Sequence, residues 1–145
     1  MGYGRYGKYP HMLPGEVDIW DRYLDHHLDE YKSFEYDVHV GTPPPPEVLA
    51  KYPISIQGAI LATYLYRIDV VATRKNNEIE IIEVKEFAGT TALGQVLLYD
   101  YLYRRDFKPA QRVRRRIVTD RTTKDLIEVA KYYSVEVSVV EEIIH

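Results

Sequence analysis

Two β-forming runs joined by a short polar turn constrain this chain more than any other feature. Residues Ile60 to Thr73 are rich in strand formers (Tyr64, Leu65, Tyr66, Ile68, Val70, Val71). Lys75-Asn76-Asn77 forms a turn, and Glu78 to Lys85 reads Glu-Ile-Glu-Ile-Ile-Glu-Val-Lys. Residues 64–85 are therefore expected to form a β-hairpin. Into its apolar strands are set Asp69, Glu83 and Lys85. Strand side chains alternate faces, so Glu83 and Lys85 point the same way, and the hairpin brings Asp69 toward the same end. Burying three charges among Ile and Val is unfavourable unless they pair or bind a metal. Two facing carboxylates require a cation, and such oxygen ligands suit magnesium, with Lys85 as a fixed positive charge beside it. A Glu-x-Lys pair alone would equally well be a salt-bridged surface face. Asp69 in mid-strand is what makes the set specific.

The rest of the chain supplies a frame for that hairpin. Its 145 residues suit a single domain. Residues 1–12 mix Gly, Tyr and basic side chains without periodicity and are expected to form a flexible arm, with 13–145 as the folded domain. In that arm Tyr3, Tyr6 and Tyr9 alternate with Arg5 and Lys8, a pattern that suits either base stacking or no role. After Pro14-Gly15, Ile19, Trp20, Tyr23, Leu24, His27, Leu28 and Tyr31 recur at helical spacing. Residues 33–40 alternate as a strand, and Pro43 to Pro46 form a stiff loop, read as a spacer or a docking segment. Downstream lie a helix over about 92–105 capped by Thr91, a strand from Val113 to Thr119, a helix from Thr122 to Tyr133 and a strand from Val135 to Glu141. The order α-β-β-β-α-β-α-β predicts an α/β fold with a mixed central sheet flanked by helices.

Charge is unevenly placed. The net charge is −3, yet segment 104–124 is basic, with Arg104, Arg105, Lys108, Arg112, Arg114, Arg115, Arg116, Arg121 and Lys124. Such a patch could follow a phosphate backbone, form a solvated face, or pair with the acidic segment 11–37. On the Val113–Thr119 strand, alternation puts Arg112, Arg114 and Arg116 on one face and Arg115 on the other. With no cysteine, disulfides, zinc–thiolate sites and cysteine-held iron–sulfur clusters are excluded. His26 and His27 lack the i, i+4 spacing of a zinc pair, and no G-x-S-x-G element or Gly-rich phosphate loop is present. No stretch approaches a membrane span and none resembles a signal-peptide core, so a cytoplasmic, intracellular protein that binds no membrane is expected.

Asp69, a turn and Glu83-Val84-Lys85 resemble the signature of PD-(D/E)XK nucleases, with Ile68 where the pattern has Pro. The likeness extends over about 13–145, because that superfamily places a helix before a β-meander carrying the motif and further α/β units after it. Its members often carry a Glu in the first helix that completes the metal site. Glu16 matches best, with Asp18 and Glu30 as alternatives, and a helix-dipole role is the other reading of Glu16. Gln95 and Tyr99, at i and i+4, resemble the Q-x-x-x-Y element of the RecB-like exonuclease branch, minimal and cluster-free here. Tyr99 would contact DNA or pack in the core. The size and layout are also similar to those of archaeal Holliday-junction resolvases and small viral nucleases, which would place the chain in a host cell.

The resemblance implies a metal-dependent deoxyribonuclease. Asp69 and Glu83 would bind Mg2+, or Mn2+ in its place, with the Val84 carbonyl and Glu16 as further ligands. Lys85 would activate or position water, and Gln95 would orient water or phosphate. Arg112, Arg114, Arg116, Arg121, Lys124 and Tyr99 would contact DNA. Two alternatives are a dimeric junction-resolving endonuclease, or a catalytically silent binding or assembly protein on the same fold. A homodimer and a recombination or replication protein are the partners these readings imply.

Overall fold

A computed structural model describes residues 2–140 of the protein. Strands β1 (Tyr3–Gly4) and β2 (Gly7–Lys8) precede helix α1 (Pro14–His27). A 3-10 turn (Leu28–Glu30) leads into β3 (Tyr31–Val40). Helices α2 (Pro46–Leu49) and α3 (Ile54–Tyr64) lie between β3 and β4 (Tyr66–Arg74). Strand β5 (Ile79–Phe87), helix α4 (Thr90–Phe107), β6 (Val113–Arg121), α5 (Lys124–Tyr132) and β7 (Val135–Val139) follow. The five long strands form one sheet in the order β3-β4-β5-β6-β7. Pairing is antiparallel from β3 to β5 and parallel from β5 to β7, which is the mixed α/β architecture expected. Among the described residues no helix is long and apolar enough to cross a membrane.

The sheet is covered on both faces. One layer packs Ile79, Ile81, Ile117 and Val135 against Val96, Tyr99 and Leu102 of α4 and Leu126 and Ala130 of α5. The other packs Val70, Ile82, Val84 and Val118 against Ile19, Trp20, Tyr23 and Leu24 of α1. Ile79 to Val84 of β5 are therefore buried throughout, as a central strand with both faces covered must be. Side chains at odd numbers in β5 enter the α4 layer and those at even numbers the α1 layer. The spacing of Ile19, Trp20, Tyr23 and Leu24 gives α1 its apolar stripe, and the indole Nε1 donates to the Tyr36 hydroxyl at 3.0 Å.

Three sequence expectations change. Residues 2–12 do not hang free, because Tyr9 and Met12 are buried. The Tyr9 hydroxyl donates to Asp21 at 2.7 Å, and the Arg5 amide donates to the same carboxylate oxygen at 2.9 Å. Gly4 permits this approach, since a Cβ there would lie 2.1 Å from the Tyr9 ring. Residues 60–64, expected in a strand, end helix α3, in which no residue is buried. Helix α4 begins at Thr90 with Gly89 at its N-cap, so Thr91 is not its cap, whereas Thr123 caps α5 by accepting from the Leu126 amide at 3.1 Å. Met1 lies outside the described residues, as does Glu141, where the last strand was expected to end.

A buried carboxylate fastens the α1 layer. Glu80 has no exposed surface. Its Oε1 accepts from the Tyr31 hydroxyl at 2.6 Å and Arg116 Nε at 3.0 Å, and its Oε2 from Arg116 Nη2 at 2.9 Å and Arg74 Nη1 at 3.1 Å. Burial alone would raise the Glu80 carboxyl, but the hydrogen bonds and charge of Arg116 outweigh it and hold it below the ordinary value of 4.5. Glu80→Gln leaves the Arg116 guanidinium without its counter-charge, and Arg74 with Glu30 alone, and is expected to cost roughly 3–5 kcal/mol in urea unfolding. Because the folded pKa is depressed, the contribution of Glu80 is complete above the ordinary carboxylate range and disappears as pH falls through the folded value. Wild-type stability should therefore drop more steeply on acidification below pH 4.5 than that of Glu80→Gln.

Candidate active site

Strands β4 and β5 separate where the hairpin charges sit. Their ladder runs from Thr73↔Ile79 to Val70↔Ile82 and stops there. Beyond it the Asp69 carboxylate replaces a backbone partner, its Oδ2 accepting from the Val84 amide at 2.9 Å. The Asp69 amide in turn donates to Glu83 Oε1 at 3.4 Å. The alternation of β4 also breaks at this point. Ile68 and Val71 belong to the α4 layer, but Val70 and Ala72 to the α1 layer. An uninterrupted strand would keep Ile68 with Val70. On the other side of β4, β3 pairs through Tyr36↔Val70 and Val38↔Ile68 but not between Asp37 and Asp69. Asp69 thus occupies a fork in the sheet.

The two carboxylates are electrostatically strained. Glu83 is 2% exposed. Burial raises its carboxyl well above the ordinary range, and the adjacent Asp69 charge raises it further. Burial also raises Asp69, against the Val84 hydrogen bond and the charges of Lys85 and Arg67, which favour the ionised form. Lys85 follows Glu83 at the alternate position of β5 and is half-buried. Its strand partner is Thr119, at the C-terminal end of the parallel pair.

The other expected residues divide into two groups. Tyr99 lines a pocket of about 280 Å3 with Asp69, Arg67, Tyr66, Asp37 and His11, and packs on Tyr66 at 5.8 Å between ring centroids. Burial raises its hydroxyl to about 12, and the Glu83 and Asp69 charges add to the effect. Gln95 lies one turn away on the same stripe of α4, and its buried Oε1 has no hydrogen-bond partner. Such an orphaned acceptor suits a cation or a water. Glu16 accepts from the Leu13 amide at 3.1 Å, closing the N-terminus of α1. Burial raises its carboxyl, and the fields of Asp69, Lys85 and Glu86 all reach it. Among the described residues, however, no three His, Asp or Glu side chains are grouped to hold a metal.

The basic patch is largely not at the site. Arg116 is bound to Glu80 in the α1 layer. Arg114 pairs with Glu78 at 3.3 Å and Glu136 at 3.0 Å, and Arg112 lies 3.7 Å from Glu78. The parallel register sets Val113 beside Ile79 and Thr119 beside Lys85, so Arg112 and Arg114 stand at the opposite end of β5 from Lys85. These arginines neutralise acidic residues and are not placed to meet a substrate at the fork. Arg121 pairs with Phe87 in the sheet and is exposed, and exposed Lys124 opens α5, which leaves both at the Lys85 end. Sequence reasoning missed Arg67, Asp37 and His11. Arg67 and Asp37 are polar residues within strands, whereas nothing in the sequence marks His11.

No family model matches the chain, and no curated protein does. By fold it is similar to a repair endonuclease from Pyrococcus abyssi, with a TM-score of 0.54 at 13% identity, covering 93% of this chain and 50% of that protein. It is similar also to EndoMS in a complex with dsDNA, with a TM-score of 0.52 at 15% identity, covering 90% of this chain and 46% of the other. The chain thus spans about half the length of these solved proteins, and the likeness is one of fold. In metal-free buffer, Glu83→Gln removes the carboxyl whose ionised form burial and Asp69 disfavour, and is expected to leave the protein at least as stable as wild type in urea unfolding at neutral pH. A variant less stable than wild type would show that the carboxylate pair is not strained.

Proposed function

We propose that this chain is a magnesium-dependent nuclease of the PD-(D/E)XK type that hydrolyses phosphodiester bonds in DNA. The observation that carries this reading is the Asp69–Glu83 pair at the β4–β5 fork, Glu83 buried and Asp69 half-buried beside it, with Lys85 at the next position on the same face of β5. A buried and a half-buried carboxylate side by side repel each other, and a divalent cation removes that cost. The unpartnered Gln95 Oε1 supports the same reading. So does the likeness of fold to proteins described as a repair endonuclease and as an EndoMS–dsDNA complex, which favours internal cleavage of duplex DNA. The Gln95-x-x-x-Tyr99 element supports kinship with the RecB-like branch.

Asp69 and Glu83 would hold Mg2+, or Mn2+ in its place, with the Val84 carbonyl and Gln95 Oε1 completing the protein share of the ligands. Magnesium keeps several waters, so two carboxylates and two neutral oxygens are a sufficient protein contribution. When bound, the metal would acidify a water and offset charge on the scissile phosphate. Lys85 Nζ would orient the attacking water and take part in its deprotonation. The Val84 amide keeps Asp69 in one rotamer during these events. Arg121 and Lys124, at the same end of the sheet, would follow the backbone.

Labelled single-stranded, duplex and four-way-junction DNA should be incubated with the protein in magnesium, manganese or EDTA. Cleavage is expected with either metal, strongest on duplex, and none in EDTA. Lys85→Ala should lower the rate by about 10²-fold or more, while magnesium still raises the melting temperature of the variant. No metal-dependent cleavage by folded protein, or undiminished cleavage by Lys85→Ala, would sink this reading.

A further inference from the structure

The pocket that exposes Asp69 is lined by one permanent cation among the described residues, Arg67. Arg67 stands two positions before Asp69 on β4. Its guanidinium is held from two sides. Nη1 donates to His11 Nδ1 at 2.9 Å, and Nε lies 3.6 Å from Asp37 Oδ1. His11 Nε2 lies 3.1 Å from the other Asp37 oxygen. A neutral ring with its proton on Nε2 satisfies both contacts, accepting from Arg67 and donating to Asp37. Both holding residues have a left-handed backbone, with φ of 65° at His11 and 57° at Asp37. Such a conformation is uncommon outside glycine and concentrates at functional sites. At Asp37 it coincides with the missing β3–β4 pair opposite Asp69.

We propose that Arg67 grips a phosphate of the bound nucleic acid beside the Asp69–Glu83 site, and that His11 and Asp37 are the residues that position it. The inference rests on the nuclease reading and adds its phosphate-binding residue. A phosphodiester approaching two carboxylates meets like charge, and a cation at the mouth of the pocket offsets that repulsion. The planar guanidinium fork matches two phosphate oxygens, which a lysine cannot reproduce. Arg67 is suited to the task because its side chain is 48% exposed and Nη2 has no partner among the described residues. Arg114 and Arg116 of β6 differ in this respect, being bound to Glu78, Glu80 and Glu136. Holding Arg67 from Nε and Nη1 leaves its outer edge toward solvent, and fixing the rotamer in advance lowers the ordering cost of binding.

The test is fluorescence polarisation of a short labelled DNA duplex with full-length protein, in calcium to prevent cleavage, across a salt series. Arg67→Ala should weaken binding about tenfold and reduce the slope of log affinity against log salt by about one. Arg67→Lys should keep the slope and recover only part of the affinity. Arg112→Ala, at the far end of the sheet, should match wild type. His11→Ala should weaken binding about threefold without changing the slope, and should add nothing in the Arg67→Ala background. Melting curves establish that each variant is folded. Unchanged affinity and slope in folded Arg67→Ala, with wild type binding and cleaving DNA, overturns this inference and leaves the nuclease reading standing. Equal losses from His11→Ala in both backgrounds overturn the positioning role. A wild type that neither binds nor cleaves DNA overturns both.

Discussion

The buried Glu80 carboxylate is the constraint on which the rest of the structure depends. Through Tyr31, Arg74 and Arg116 it joins β3, β4, β5 and β6, and Arg116 Nη1 extends the network to Ser138 of β7 at 2.8 Å. The Tyr31 hydroxyl lies 2.6 Å from that of Tyr23, which brings in α1. Ion pairs of this kind add little net stability over apolar packing, but they penalise any arrangement that separates the partners. A slip of β5 by one residue would move Glu80 into the α4 layer and Glu83 out of it. The same register that satisfies Glu80 therefore delivers Glu83 and Lys85 to the fork.

Order at one end of β5 makes disorder of pairing tolerable at the other. Where β4 and β5 separate, the Val84 amide loses a ladder partner and finds the Asp69 side chain instead. The carboxylate proposed to hold the metal is thus also a structural one. Segments distant in sequence converge around it, namely the N-terminal turn with His11, the kinked middle of β3 at Asp37, the start of β4, and Tyr99 on α4. The N-terminal residues reach the pocket because Tyr9 and Met12 anchor them to the α1 layer.

What could be read from the sequence was what periodicity and local chemistry control. Alternation along β5 is enough to fix the shared face of Glu83 and Lys85. The stripe of α1 follows an equally local rule. Helix α3 escaped because Ile54 to Tyr64 is apolar all round, and its last residues lead without a break into Tyr66 and Ile68. A run with no polar face carries no helical period. The partners of Arg114 and Arg116 were hidden for a different reason. Alternation gives the face of a side chain but not its partner, and Glu78 and Glu80 became partners only when β5 and β6 paired. The burial of Tyr9 was hidden on the same ground, since it depends on Asp21 and Tyr36.

Adjacent antiparallel strands need only a two-residue turn to connect them, yet the chain inserts residues 41–65 between β3 and β4. Helix α3, the longest element of this excursion, contributes no buried residue. The sheet therefore does not rely on it, and residues there can be gained, lost or exchanged without disturbing either core layer. The excursion nevertheless ends at Leu65 and Tyr66, on the rim of the Asp69 pocket. A change of length or composition in this excursion would therefore alter the rim of the pocket while leaving the fork itself fixed.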